Sequence, residues 1–144
     1  MIRRATDADA DAVAAVFGRS FATLDFLPKL HTAEEDRAHL EGVIAEQDVW
    51  VAEDEGKLAG FIALKGDLGT FFYVTPEAQR RGLGSALFEH VQHERPHGFT
   101  FWVFQANDAA RAFYERRGCV AVEFTDGSGN DEKTPDVRYE WRPA

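Results

Sequence analysis

Between Val49 and Gly84 the sequence strings three β-rich runs together with only turn-length breaks, then switches to a helical period. This switch restricts the fold more than any other feature of the chain. Val49–Ala52 and Leu58–Leu64 flank Asp54-Glu55-Gly56-Lys57, whose Glu-Gly pair suits a tight hairpin, and Phe71–Val74 follows the turn residues Gly66-Asp67 and stops before Pro76. Three consecutive strands so closely spaced form an antiparallel meander. The next apolar positions, Leu83, Leu87 and Val91, lie on one face of a helix that Pro96 ends, and Phe99–Phe104 returns to strand.

The flanks complete the order. Ile2 opens a short strand, and Thr6-Asp7-Ala8-Asp9 supplies an N-cap for a helix patterned by Val13, Val16, Phe17, Ser20, Phe21 and Leu24. Thr32 and Glu35 read as the capping box of a second helix that buries Leu40, Val43 and Ile44. Asn107 caps a helix bearing Ala110, Phe113 and Tyr114, Gly118 ends it, and Val120–Phe124 and Val137–Trp141 are the last strands. The order β-α-α-β-β-β-α-β-α-β-β predicts an α/β (α+β) chain with a mixed sheet covered by helices.

At 144 residues one core is expected, and the 44% apolar content with mixed charges fits a soluble globular protein. No segment approaches the roughly twenty apolar residues a membrane span needs. Met1–Asp7 lacks the apolar run of a secretory leader, so a cytoplasmic location is expected. The lone Cys119 cannot form an internal disulfide, and no Cys/His spacing suits zinc, so no metal is expected. A formal net charge of −9 argues against general nucleic-acid binding.

On this acidic chain one turn stands out. Gln79-Arg80-Arg81-Gly82-Leu83-Gly84-Ser85 lies between a strand and a helix, where unpaired N–H groups and the helix dipole favour an anion. Gly82 and Gly84 let backbone approach a phosphate, and Arg80 and Arg81 add positive charge. The plainer alternative is a glycine-containing helix start with two solvated arginines. The dinucleotide fingerprint G-x-G-x-x-G fails at Leu87, and no Gly-Lys-Ser/Thr completes a Walker loop.

The run Val74–Leu87 resembles the acetyl-CoA-binding motif Q/R-x-x-G-x-G/A of the GNAT (GCN5-related N-acetyltransferase) superfamily, with every core position matched. Asn107–Gly118 resembles the same superfamily's N-x-x-A-x-x-F-Y-x-x-x-G signature. The element order fits as well, so the resemblance covers essentially the whole chain. It implies one N-acetyltransferase domain over residues 1–144, a mostly antiparallel sheet of six to seven strands flanked by four helices, and acetyl-CoA as cofactor. Two departures stand out. Cys119 replaces a common Phe, and Phe71 stands where a polar side chain is common.

The resemblance also assigns roles. The backbone of Phe72, Tyr73 and Val74 would pair with the pantetheine arm like an added strand, and Gln79, Arg80, Arg81, Gly82, Leu83, Gly84 and Ser85 would hold the phosphates. Asn107, Ala110, Phe113 and Tyr114 would complete the cofactor site. Tyr114 would be the general acid that protonates the CoA sulfur, with the Val74 N–H as oxyanion donor and Asn107 hydrogen-bonding the pantetheine or its thioester carbonyl. Taken without the motif, Tyr114 is a core aromatic and Asn107 a plain N-cap.

An amine of pKa ~10.4 is unprotonated in roughly one molecule in a few thousand at pH 7, so a base is useful. Asp67 and Glu53 are candidates, each also readable as a solvated turn or strand-end residue, and His31 is a candidate near the acceptor or a surface loop histidine. Phe26, Leu27 and Leu30 either line an acceptor pocket or pack the core. Asp126, Asp131, Glu132 and Asp136 would suit a cationic amine if their loop faces that pocket, and otherwise form a solvated loop. The expected partner is a small-molecule amine, with no nucleic acid or membrane, on a monomer or homodimer. The alternatives are a non-catalytic acyl-CoA-binding module and a protein or peptide amine acetyltransferase.

Overall fold

The computed structural model describes residues 1–143. Strand β1 (Ile2–Arg4) leads through a single 3₁₀ turn into α1 (Ala10–Phe21), and α2 (Ala33–Glu46) precedes the meander β2 (Asp48–Asp54), β3 (Lys57–Lys65) and β4 (Leu68–Val74). A 3₁₀ turn over Pro76–Arg81 then enters α3 (Leu83–Glu94), followed by β5 (Phe99–Phe104), α4 (Asp108–Arg116), β6 (Val120–Phe124) and β7 (Asp136–Trp141). The sheet has seven strands in the order β1-β2-β3-β4-β5-β7-β6, and β4–β5 is its one parallel pair among the described residues.

The local signals act where the sequence puts them. The Asp9 carboxylate accepts the Thr6 N–H at 2.7 Å, and Thr32 and Glu35 exchange capping bonds of 3.1 and 2.9 Å. Glu55 and Gly56 make the β2–β3 turn with φ of 53° and 79°. Several boundaries differ from the sequence pattern, and two of them bear on the site. Strand β4 begins at Leu68, before Phe71, because Leu68 and Gly69 pair with β3 on one side and β5 on the other. Helix α1 stops at Phe21, leaving Leu24 in the following loop.

The alternation of β4 divides the core. Phe71 and Tyr73 join Val13, Val16, Leu40, Val51 and Phe61 beneath α1 and α2. Phe72 and Val74 face the other way, with Leu87, Phe88, Phe101, Tyr114 and Tyr139 beneath α3 and α4.

The feature that matters for function is where β4 and β5 part. Their pairing is confined to Leu68↔Thr100 and Gly69↔Phe101. Beyond it the strands diverge, leaving the β5-facing side of β4 without a strand partner. A Cβ on Gly69 would stand 3.2 Å from Phe101 Cβ, so glycine lets the strands meet at the apex of the split.

Candidate active site

Register decides which backbone groups line the split. The Thr75 N–H donates to Ala59 O at 2.8 Å, and the partners of β3 and β4 run Val74↔Gly60, Tyr73↔Phe61 and Phe72↔Ile62. In an antiparallel ladder directly paired residues alternately exchange bonds and turn them outward. Thr75 and Tyr73 therefore bond to β3, while the N–H and C=O groups of Phe72 and Val74 face the opening. The expectation that Tyr73 offers its backbone to a ligand is corrected here: its peptide groups are spent on β3, and only its side chain remains. The Val74 carbonyl accepts from Ser20 Oγ at 3.1 Å and Gln79 Nε2 at 3.2 Å, which fixes the end of β4. Its N–H is left to the cleft.

A cleft of about 600 Å³ runs through the split, lined among others by Phe72, Val74, Gln79, Gly84, Asn107 and Tyr114. At one end is the N-terminus of α3. Gly82 takes φ 77°, a left-handed conformation that an L side chain resists, and no side chain caps the helix nor does an acid occupy its first turn. The first intrahelical bond runs from Ala86 N to Gly82 O, so the preceding N–H groups point outward. A Cβ on Gly84 would come no closer than 3.7 Å to the Phe113 ring, so the protein itself leaves room above this turn. These donors with nearby arginines fit a phosphate, and the uncapped end without acids is what such a group requires.

The two arginines of the turn differ. Arg81 reaches Asp54 at 3.1 Å and Glu55 at 3.6 Å on the β2–β3 hairpin, whereas Arg80 is exposed without an acidic partner among the described residues. Leu83 packs its side chain against the core and contributes only backbone. Ser85 accepts a hydrogen bond from Arg117, whose guanidinium lies 3.5 Å from the Phe113 ring centroid. Arg117 thus joins the turn from α4, and Arg116 lines the cleft. Their only trace in the sequence is the basic pair before Gly118. Ser20 is the other residue absent from the expected set, and its signal is a hydroxyl on the apolar stripe of α1.

At the opposite end lies Tyr114, only 8% exposed and surrounded by the rings of Phe72, Phe88, Phe101, Phe113 and Tyr139, with Phe101 nearest at 4.4 Å between centroids. Its hydroxyl has no hydrogen-bond partner among the described residues. Tyr114 lines both a pocket of about 130 Å³ between β4 and β5 and the main cleft. Burial pushes this phenol well above its usual range, so it stays protonated near neutrality. Asn107 Oδ1 caps α4 by accepting the Ala110 N–H at 3.2 Å, and Asn107, Ala110 and Phe113 all line the cleft.

The remaining candidates separate clearly. Glu53 is bonded to Arg3 at 2.8 Å and Asp67 is an exposed neighbour of Arg95 at 3.7 Å; neither is among the residues lining the split cleft or the cavity on the α1/α2 face. Phe26 lines the cleft and packs edge-on against Phe104, with ring centroids 6.2 Å apart, while Leu27, Leu30 and His31 line a cavity of about 680 Å³ beside α1. Phe71 packs against Phe17 and His39 on the α1/α2 face. Burial raises the Cys119 thiol to about 12, which makes it a packing residue rather than a nucleophile. Of the acidic loop, Glu132 and Asp136 line a cavity on the α1/α2 face, whereas Asp126 and Asp131 do not.

The acetyltransferase (GNAT) domain model matches residues 45–118, and the chain belongs to this family. Among curated relatives, it is 38% identical over 84 residues to the peptidyl-lysine N-acetyltransferase YiaC of Escherichia coli, covering 58% of this chain and 57% of that protein. It is 37% identical over 89 residues to the 5-NmdU N-acetyltransferase of Pseudomonas phage PaMx11, covering 56% of this chain and 64% of the relative. The matched part thus spans less than two thirds of either relative. Among solved structures, apo YjaB from Escherichia coli superposes with a TM-score of 0.77 at 27% identity, covering 100% of this chain and 98% of the other.

Proposed function

We propose that this chain is an acetyl-CoA-dependent N-acetyltransferase that carries an acetyl group to a primary amine of a small molecule, by direct attack in a ternary complex. The observation that carries this reading is the convergence, in one cleft, of an anion-ready helix start, the outward backbone of Phe72 and Val74, and the unpartnered Tyr114 hydroxyl. Acetyl-CoA, when bound, supplies the activated acetyl thioester.

The chain's own residues do the rest. The N–H groups at the start of α3 bind phosphate, with Arg80 and Arg117 adding charge. The N–H and C=O of Phe72 and the N–H of Val74 hold an extended amide-bearing arm as a further strand would. Val74 also serves as the donor toward developing negative charge, fixed because Ser20 and Gln79 pin the end of its strand. Tyr114 holds a proton on its hydroxyl, in position to release it to a leaving group in the cleft. Asn107 shapes the wall while capping α4.

The relatives' names support amine acetylation and differ in acceptor, one being a peptidyl lysine. The small-molecule reading rests on the aromatic-lined cavity of about 730 Å³ on the α1/α2 face. The test combines thermal shift with acetyl-CoA or CoA and thiol release against a panel of amines and lysine peptides. The expected result is stabilisation by either cofactor form and thiol release with small amines. Absence of any cofactor shift refutes the enzyme reading, and transfer confined to peptide lysines refutes the small-molecule acceptor.

A further inference from the structure

Through the split from Tyr114, on the α1/α2 face, lies a cavity of about 730 Å³. Phe17, Phe21, Phe71, Tyr73, Trp102 and Phe104 give it an aromatic interior, and the loop between β6 and β7 closes one side. Trp102, on a strand with no helix above it here, is 41% exposed. Among the described residues no Lys or Arg lines this cavity, and its charged groups are Asp136 and Glu132; Glu132 also borders the neighbouring cavity that holds Lys29 and Arg37, the latter paired with Asp11 and Glu41.

These two carboxylates are not equivalent. Asp136 is spent inside the loop, accepting from Thr125 Oγ1 and from Asn130 Nδ2 at 3.2 Å. Glu132 is half-buried, and its carboxylate has neither a hydrogen-bond nor an ion-pair partner among the described residues, the residue's carbonyl alone accepting from Thr134 Oγ1 at 3.0 Å. Its sequence neighbour Lys133 does not neutralise it, because that ammonium donates to Ser128 O at 2.9 Å. The loop is held independently of the Glu132 side chain: Asn130 Nδ2 donates to Thr134 O at 2.8 Å, and Asn130 Oδ1 accepts the Thr134 N–H at 3.2 Å. The negative charge of Glu132 reaches the Tyr73 hydroxyl, which burial and this carboxylate together push up to about 12.

A partly desolvated carboxylate without a counter-ion is unfavourable unless a cation joins it, and aromatic faces around it favour the same cation. We propose that this cavity is the acceptor subsite, that Glu132 receives the acceptor's ammonium group and takes its proton before the freed amine attacks the thioester, and that the substrate class is a small primary amine on an aromatic or apolar body. The inference rests on the acetyltransferase reading above and adds the acceptor's recognition chemistry to it. The volume lies within the ~300–1,000 Å³ usual for small-ligand sites.

The test uses the full chain with CoA bound and three probes of similar shape: 2-phenylethylamine, 3-phenylpropan-1-ol and 3-phenylpropionate. Calorimetry is expected to show saturable binding of the amine, at least tenfold weaker binding of the alcohol and none of the carboxylate. Glu132→Gln should lower kcat/KM for 2-phenylethylamine at least tenfold, Glu132→Asp should restore part of it, and both should keep the wild-type thermal shift with acetyl-CoA. Equal affinity for amine and alcohol, no amine binding at all, or an unchanged kcat/KM in Glu132→Gln overturns the proposal. A protein that acetyl-CoA does not stabilise fails earlier, at the enzyme reading.

Discussion

Replacing Tyr114 with Phe separates a working hydroxyl from a structural one. The variant keeps the five ring contacts of Tyr114 and removes a hydroxyl that makes no hydrogen bond to protein. With no bond lost and no cavity opened, folding stability should stay within about 1 kcal/mol of wild type, or ~3 °C in Tm for a domain of this size. Tyr139→Phe is the matched control on the same face. Tyr139 is fully buried, and its hydroxyl donates to Glu115 and accepts from Arg111 Nε at 3.1 Å. Deleting it leaves both partners short of a bond and should cost about 1–3 kcal/mol. Activity should reverse the order. If Tyr114 delivers the proton to the departing group, Tyr114→Phe lowers kcat by about 10²-fold or more with little change in acetyl-CoA affinity, while Tyr139→Phe retains most turnover at a temperature where it is folded. The assays are scanning calorimetry and thiol release at saturating acetyl-CoA. A Tyr114→Phe enzyme within about threefold of wild-type kcat would falsify the assignment, because only the hydroxyl has been removed.

Two further predictions concern the scaffold. Asp9 accepts from both terminal nitrogens of Arg3 at 2.8 Å, and the Arg3 guanidinium holds its carboxyl at about 2, below its ordinary 3.8. Because the folded pKa is depressed, the stabilisation is present above about pH 4 and lost as pH falls toward 2. It is on the order of 1–2 kcal/mol once the partial exposure of Arg3 is allowed for. Asp9→Asn should therefore lower Tm near neutrality and flatten its fall between pH 5 and 2.5, in buffers spanning ~2 pH units around the carboxylate range; parallel curves for the two proteins would contradict this. A Cβ on Gly127 would lie 2.3 Å from the Thr134 carbonyl carbon at φ 85°, so Gly127→Ala must displace the loop that carries Glu132. A fall in stability of about 1–3 kcal/mol, with weaker amine binding and an unchanged acetyl-CoA shift, is expected; a wild-type Tm would refute the tight packing.

The part of the molecule written in the sequence is the part set by neighbours in the chain. The caps at Thr6, Thr32 and Asn107, the Glu55-Gly56 turn and the strand-to-helix switch at Gln79–Gly84 each act over a few residues, and each forms where its residue types lie. Family membership was legible for the same reason, since both motifs are contiguous. Tertiary structure alone decided where β4 and β5 part and which backbone groups face the opening. A one-residue change of register would exchange Tyr73 for Phe72 and Val74, and that parity is fixed by pairing with β3 rather than by composition. It also turned Arg81 toward the hairpin, brought Arg117 to Ser85 across 32 positions, moved Asp67 and Glu53 away from the clefts and left Glu132 without a partner beneath six aromatic rings. These outcomes depend on contacts between segments far apart in the chain, whose energies no local pattern encodes.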